Sequence, residues 1–168
     1  MSRVSRDASE TEVSTAPAWP PVWVRPAALV LAVLGLADSV YLTYEHYTGS
    51  RTLACSSGGL FNCHAVTTSD YSYLPPGSGI PVALLGLLFF VGMTALCLPQ
   101  MWGRSRTLDR MRLAGLAVGV LMVLWLVYAE LFRLGQICPY CTGVHVITVV
   151  LFGLVAVVEA LRPLPVEL

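Results

Sequence analysis

Lysine is absent from this chain, and charge of either sign is scarce. Asp, Glu, Lys and Arg make up 12% of the 168 residues, where a soluble domain carries about 25%. Hydrophobic residues make up 56%, and the mean hydropathy is +0.71. A soluble globule of this length cannot hide so much apolar surface. The same scarcity of charge excludes a disordered chain, a nucleic-acid binder and a secreted disulfide knot. Ten basic residues balance ten acidic ones, so nothing predicts a polyanionic partner. All the basic residues are Arg, which reads first as the mark of GC-rich coding. An integral membrane protein is what composition leaves.

A bilayer core takes about 20 apolar residues per helix. Four stretches qualify: 27–47, 80–98, 113–134 and 137–161. The fold class expected is an all-α membrane protein, a four-transmembrane-helix bundle with an outward loop that carries a cysteine pair. Only Gly135 and Gln136 separate the last two spans, so these form a tight antiparallel hairpin. Residues 1–25, rich in Ser, Thr, Ala and Pro, predict a disordered cytoplasmic tail. Residues 26–162 form the membrane domain, and 163–168 a short cytoplasmic tail. The first span is too long for a signal-peptide core and has no small-residue cleavage site after it, so it is expected to stay as an anchor.

Arg placement sets the orientation. Arg3, Arg6, Arg25, Arg104, Arg106, Arg110, Arg112 and Arg162 fall on one side, and Arg51 and Arg133 on the other. Both termini and the 99–112 loop are therefore expected in the cytoplasm. The 48–79 loop and the turn at 135–137 face outward.

Four of the five cysteines collect at that outward face: Cys55 and Cys63 in the loop, Cys138 and Cys141 at the start of the last span. The compartment is oxidising if the membrane is a bacterial inner membrane or bounds an organelle lumen. Cys138-Pro139-Tyr140-Cys141 is a CxxC at a helix N-terminus. Free N–H groups and the helix dipole there stabilise a thiolate, which suits the pair to disulfide exchange. A static disulfide and half of a zinc site are the alternatives. Zinc would need a second pair of ligands, and Cys55 with Cys63 are poorly spaced to supply it. Cys97, alone near the cytoplasmic end of its span, reads as a packed apolar residue.

Polar groups inside spans have to be explained, since each costs about 2.5–3.5 kcal/mol at the bilayer centre. Asp38 is expected to face the bundle interior, bonded to a neighbouring helix or serving a proton path. Glu130 lies near the outward end, where the cost falls. His145 shares a helix face with Cys138 and Cys141, either lining a cavity or packing against a helix. The stretch from Cys63 to Pro81 is rich in hydroxyl and aromatic side chains. It can lie along the membrane surface and cap the bundle, or form a wet loop.

These residues together resemble the vitamin K epoxide reductase family, over roughly 34–150. The resemblance rests on Cys55 and Cys63, on Ser69 six residues later, on Gly79-Ile80-Pro81-Val82-Ala83-Leu84-Leu85-Gly86, and on Cys138-Pro139-Tyr140-Cys141. The run Asp38-Ser39-Val40-Tyr41-Leu42-Thr43-Tyr44-Glu45-His46 is similar to bacterial members. The resemblance implies a four-helix bundle around a quinone of menaquinone or ubiquinone type. By that pattern Cys141 lies next to the quinone, Cys138 exchanges with the loop, Cys63 reaches Cys138, and Cys55 meets a soluble partner. Ser69 matches the hydroxyl residue that bonds a quinone oxygen, and His145 is a second candidate at the cofactor. Animal members have Asn at the position of Val82 and Tyr at that of His145, which argues against epoxide reduction here.

The expected function is that of an inner-membrane, quinone-dependent thiol–disulfide oxidoreductase that reoxidises a DsbA-like thioredoxin-fold protein. The chain runs seven residues past Leu161, so that partner is expected to be a separate protein. Reduction of vitamin K epoxide itself is the alternative activity, and a scaffold with structural disulfides the alternative class. Labelling tests the orientation. After reduction of intact cells, a membrane-impermeant maleimide should label Cys55, while a Ser105→Cys variant should gain no label at the new site. The reverse pattern would move the chemistry to the cytoplasm.

Overall fold

Backbone polar groups inside a bilayer have to be paired within their own segment. The computed structural model describes residues 19–49, 60–75 and 78–162, and its long apolar stretches are all helical. Among the described residues there is no strand, only two isolated bridges, Phe61 with Ile137 and Tyr73 with Pro81. Helix α1 is Val24–Thr48, α2 Cys63–Thr67, α3 Val82–Leu96, α4 Arg106–Tyr128 and α5 Pro139–Ala160. A π-helical turn, Ala129–Leu134, continues α4. The helices α1, α4 with its π-turn, and α5 are long and apolar enough to cross a membrane. Helix α3 is shorter, with 15 residues, roughly 22 Å at about 1.5 Å per residue.

Local chemistry explains where the helices depart from the expected spans. Pro81 precedes α3, and Pro99 shuts off helical geometry at Leu98, so the helix is trimmed at both ends. Helix α4 begins at Arg106, seven residues before the apolar run, because the Ser105 hydroxyl accepts the Leu108 N–H at 3.2 Å and caps it. The expected N-terminal tail reached residue 25. Here α1 starts at Val24, which is fully buried, and Trp19 packs against the core. Residues 1–18 and 163–168, most of the two expected tails, lie outside the described residues.

Helix α1 packs on α3 and α5, and α4 packs on α5, while α3 and α4 touch lightly. The apolar core sits at the end of the bundle away from the CxxC, among Ala28, Ala32, Met93, Leu116, Leu151 and Val155. Close approach of α1 and α3 depends on Gly35: a Cβ there would lie 2.1 Å from Cε1 of Phe90.

The same end holds a buried ion cluster. Arg112, fully buried, donates from Nε and Nη2 to the Leu96 carbonyl at 3.1 and 2.7 Å, satisfying the end of α3. Its Nη1 pairs with Asp109 at 3.1 Å, and its guanidinium lies 3.9 Å from the Trp102 ring centroid. Asp109 also pairs with Arg162, just past α5. Cys97 is buried beside Arg112, packed as expected. At the opposite end Trp125, Tyr128 and Phe132 stack along the outer face of α4, where an aromatic belt meets the headgroups.

Gly35→Ala should drive a methyl group into the Phe90 ring and cost about 1–3 kcal/mol, as overpacking does. Thermal unfolding in detergent measures it. An unchanged midpoint would mean that α1 and α3 separate without penalty.

Candidate functional site: a dithiol under a pinned loop

The hairpin turn between the π-turn and α5 carries the CxxC. Gly135, at φ 61°, ends the π-turn, and Cys138 caps α5, its Sγ accepting the Cys141 N–H at 3.2 Å. Pro139 follows in the first turn, where its missing N–H costs nothing. Cys138 is buried and Cys141 partly buried, and both are free thiols. Cys138 lies outside α5 itself. The hydrogen bond with the Cys141 thiol holds the Cys138 thiol below its ordinary pKa, against the effect of burial. The free N–H groups at the helix start act the same way.

The loop returns to this turn through its backbone. Ile137 N–H donates to the Leu60 carbonyl at 2.8 Å, and Asn62 N–H donates to the Ile137 carbonyl at 3.2 Å. This parallel bridge pairs Phe61 with Ile137, two residues before Cys63 and one before Cys138. The Asn62 side chain accepts the Ala65 N–H at 3.1 Å and starts α2, so Cys63 heads a short helix and is fully buried. Cys63 is in a disulfide. A disulfide sulfur is no zinc thiolate, so in this state Cys63 cannot complete a zinc site with the CxxC. Cys55 lies outside the described residues.

Beyond α2 the loop is tied down at three more points. Tyr71 OH accepts from Arg133 Nε at 2.7 Å. The Tyr73 ring meets His46 of α1 edge-on at 5.4 Å. Leu74 N–H donates to the Ile80 carbonyl at 3.0 Å, next to the Tyr73–Pro81 bridge. The segment 60–75 is therefore a cap on the bundle, the first of the two alternatives left open for it.

Under that cap lies a cavity of about 370 Å³, with an overwhelmingly apolar wall drawn from α1, α3, α4, α5 and the cap. Cys141, Ser69 and His145 all face it. His145 is 6% exposed and has no side-chain hydrogen bond among the described residues. The Ser69 hydroxyl instead donates to the Val66 carbonyl at 2.9 Å, so it has to turn before it can serve a ligand. An apolar slot with a thiol and an unpartnered imidazole in its wall fits a flat, lipid-soluble ring with two carbonyl oxygens. Cys141 would meet the ring, and His145 and Ser69 would bond its oxygens.

Titratable wall residues that were not among the candidate cofactor contacts include His46, Tyr71 and Glu130. The signal for Glu130 was present in the sequence, a lone carboxylate in an apolar run near the CxxC. Asp38 makes no side-chain hydrogen bond among the described residues. It rests against α5, its Oδ2 3.0 Å from where a Cβ at Gly143 would stand.

Comparison with protein families matches residues 26–156 to the model described as the vitamin K epoxide reductase family. That stretch takes in α1 through most of α5, including the cap, the cavity and the CxxC. The chain belongs to the vitamin K epoxide reductase family, a family of membrane oxidoreductases that couple thiols and disulfides to quinones.

Proposed function

We propose that this protein is a quinone-dependent thiol oxidase of a bacterial inner membrane, with four spans and both termini in the cytoplasm. It reoxidises a DsbA-like thioredoxin-fold protein outside that membrane. Electrons run from the partner dithiol to Cys55–Cys63, then to Cys138–Cys141, then to a quinone of menaquinone or ubiquinone type. The observation that carries the reading is the backbone bridge at Ile137, which ties the loop just before a disulfide-bonded Cys63 to the turn just before a free dithiol, whose Cys141 lines an apolar cavity.

Each protein step is attack of a thiolate on a disulfide sulfur. The partner thiolate attacks Cys55 and Cys63 leaves as thiolate; the partner's second thiol then displaces Cys55, and in the reverse direction Cys63 is the resolving thiol. In oxidising the loop, Cys63 attacks the Cys138–Cys141 disulfide at Cys138, and Cys141 leaves towards the cavity. The low-lying thiol of Cys138 suits it to form and break such bonds near neutral pH. The bound quinone supplies a two-electron acceptor. His145 and Ser69 orient it, the apolar wall excludes water, and Cys141 stands at the boundary between sulfur and ring chemistry. Val82 and His145, which replace the Asn and Tyr of animal members, both line the cavity. This supports quinone reduction over epoxide reduction.

Trapping tests the order of the relay. Cys63→Ser should leave the partner bonded to Cys55, and Cys141→Ser should leave Cys63 bonded to Cys138. Mass spectrometry of non-reduced peptides identifies both. A partner caught on Cys138, or a Cys55–Cys138 bridge, would exchange the roles of the loop cysteines.

Ser69→Ala should slow quinone reduction more than thiol exchange, by the equivalent of about 1–3 kcal/mol for one lost donor. Stopped-flow rates for the two half-reactions separate the effects. Equal rates in variant and wild type would leave Ser69 only its bond to Val66.

A further inference from the structure

The proposed chemistry moves protons as well as electrons, and two thiols and a quinone do not account for how. One dithiol and one quinone give one disulfide and one quinol. An S–S bond forms and two S–H bonds break. Two electrons pass from sulfur to the ring, and two protons end on its oxygens. The cavity wall around Cys141 is overwhelmingly apolar, so a proton leaving the reacting thiol needs a carrier within the cavity.

Glu130 has the position for it. It lies in the π-turn Ala129–Leu134 and is 6% exposed. Its side chain lines the same cavity as Cys141. Its charge is felt at both Cys138 and Cys141, which sets it close to the dithiol as well. Among the described residues it has no side-chain hydrogen bond and no ion pair. Arg133, the cation of the same turn, is exposed and bonded to Tyr71. A buried carboxylate that no cation holds is costly to keep ionised, so it is ready to take a proton from a neighbour. The turn that carries it is irregular, and π-turns recur at functional sites. The other titratable groups facing this region are Cys138, Cys141 and His145 from the α5 end, Asp38 and His46 from α1, and Tyr71 from the cap.

We propose that Glu130 takes the proton from the thiol that reduces the quinone and delivers it to a quinone oxygen. This rests on the thiol-oxidase reading above. Glu130 begins as carboxylate, holds one proton as the acid, and ends as carboxylate. The proton of the second thiol is released to the water at the outward face, and the second quinol proton is taken from there.

Two measurements on the full-length protein in nanodiscs test this, for wild type and for Glu130→Gln, Glu130→Asp and His145→Gln. The first is reduction of ubiquinone-1 with dithiothreitol as donor, followed against pH. The second, with no quinone present, is the rate of iodoacetamide alkylation of Cys138 in the reduced protein. Glu130→Gln should lower kcat by about 100-fold or more, as loss of a positioned acid–base group does. It should also flatten the acid limb of the pH profile, and Glu130→Asp should restore part of the rate. Alkylation of Cys138 should quicken in Glu130→Gln, because a negative charge is gone from beside the thiolate. A merely structural glutamate would not give slower turnover together with faster alkylation. Wild-type turnover in Glu130→Gln would overturn the proposal, as would a joint fall of both rates, or a loss confined to His145→Gln. Wild type that is inert towards ubiquinone-1, and equally towards a menaquinone analogue such as menadione in the same assay, would remove the oxidase reading itself, and the proton carrier with it.

Discussion

Two backbone hydrogen bonds, both made by Ile137, hold the cap onto the bundle. A loop near a membrane surface has water to satisfy its amides, so it gains little from pairing unless the pairing also buries apolar surface. Here it does. The bridge seats Cys63 in the interior, starts α2 through Asn62, and roofs the apolar cavity. The Tyr71–Arg133 and Tyr73–His46 contacts then extend the cap across α4 and α1. Ile137 thus joins the loop that carries the disulfide-bonded Cys63 to the turn that carries the CxxC.

The two ends of the bundle solve opposite problems. At one end the buried Arg112 is matched by Asp109, the Leu96 carbonyl and Trp102, and Arg162 pairs with Asp109 in turn. Removing one partner from such a cluster strands the rest in a poor solvent, so this end is rigid by construction. At the other end polar groups stand unmatched in an apolar wall, among them His145 and Glu130. Unmatched groups cost stability and are free to engage a ligand or a proton. Core packing by Leu116, Leu151 and Val155 at the rigid end leaves the reactive end hollow.

Much of the site could be read from the sequence. The CxxC at a helix start follows from Cys138 and Pro139 alone, and His145 falls on the same face by helical spacing. Cys97 as a packed residue was also legible. What could not be read depends on contacts between distant segments or on breaks in periodicity. Arg112 looks like one of several cytoplasmic charges, yet beyond Asp109 on its own helix its partners are Leu96 of α3 and Trp102 of the connection, and only the fold brings these to it. The Ser69 hydroxyl bonds Val66 in its own turn, a local choice that residue type does not reveal. Glu130 stood out as a lone carboxylate near the outward end of its span, but only the fold shows that it lines the cavity with Cys141. The span limits shifted for a similar reason: hydropathy locates apolar surface, whereas Ser105, Pro81 and Pro99 decide where a helix begins and stops.

The dithiol, the cap and the cavity all lie towards one end of the bundle, near the aromatic stack of α4. In the proposed cycle, both thiol groups and both quinol oxygens exchange protons on that same side. A unit charge carried fully across a bilayer works against about 2.3 kcal/mol per 100 mV, but here each charge crosses only a small part of the field. The proposed cycle is thus close to electroneutral across the membrane: it draws on the redox poise of the quinone and is nearly blind to the membrane voltage.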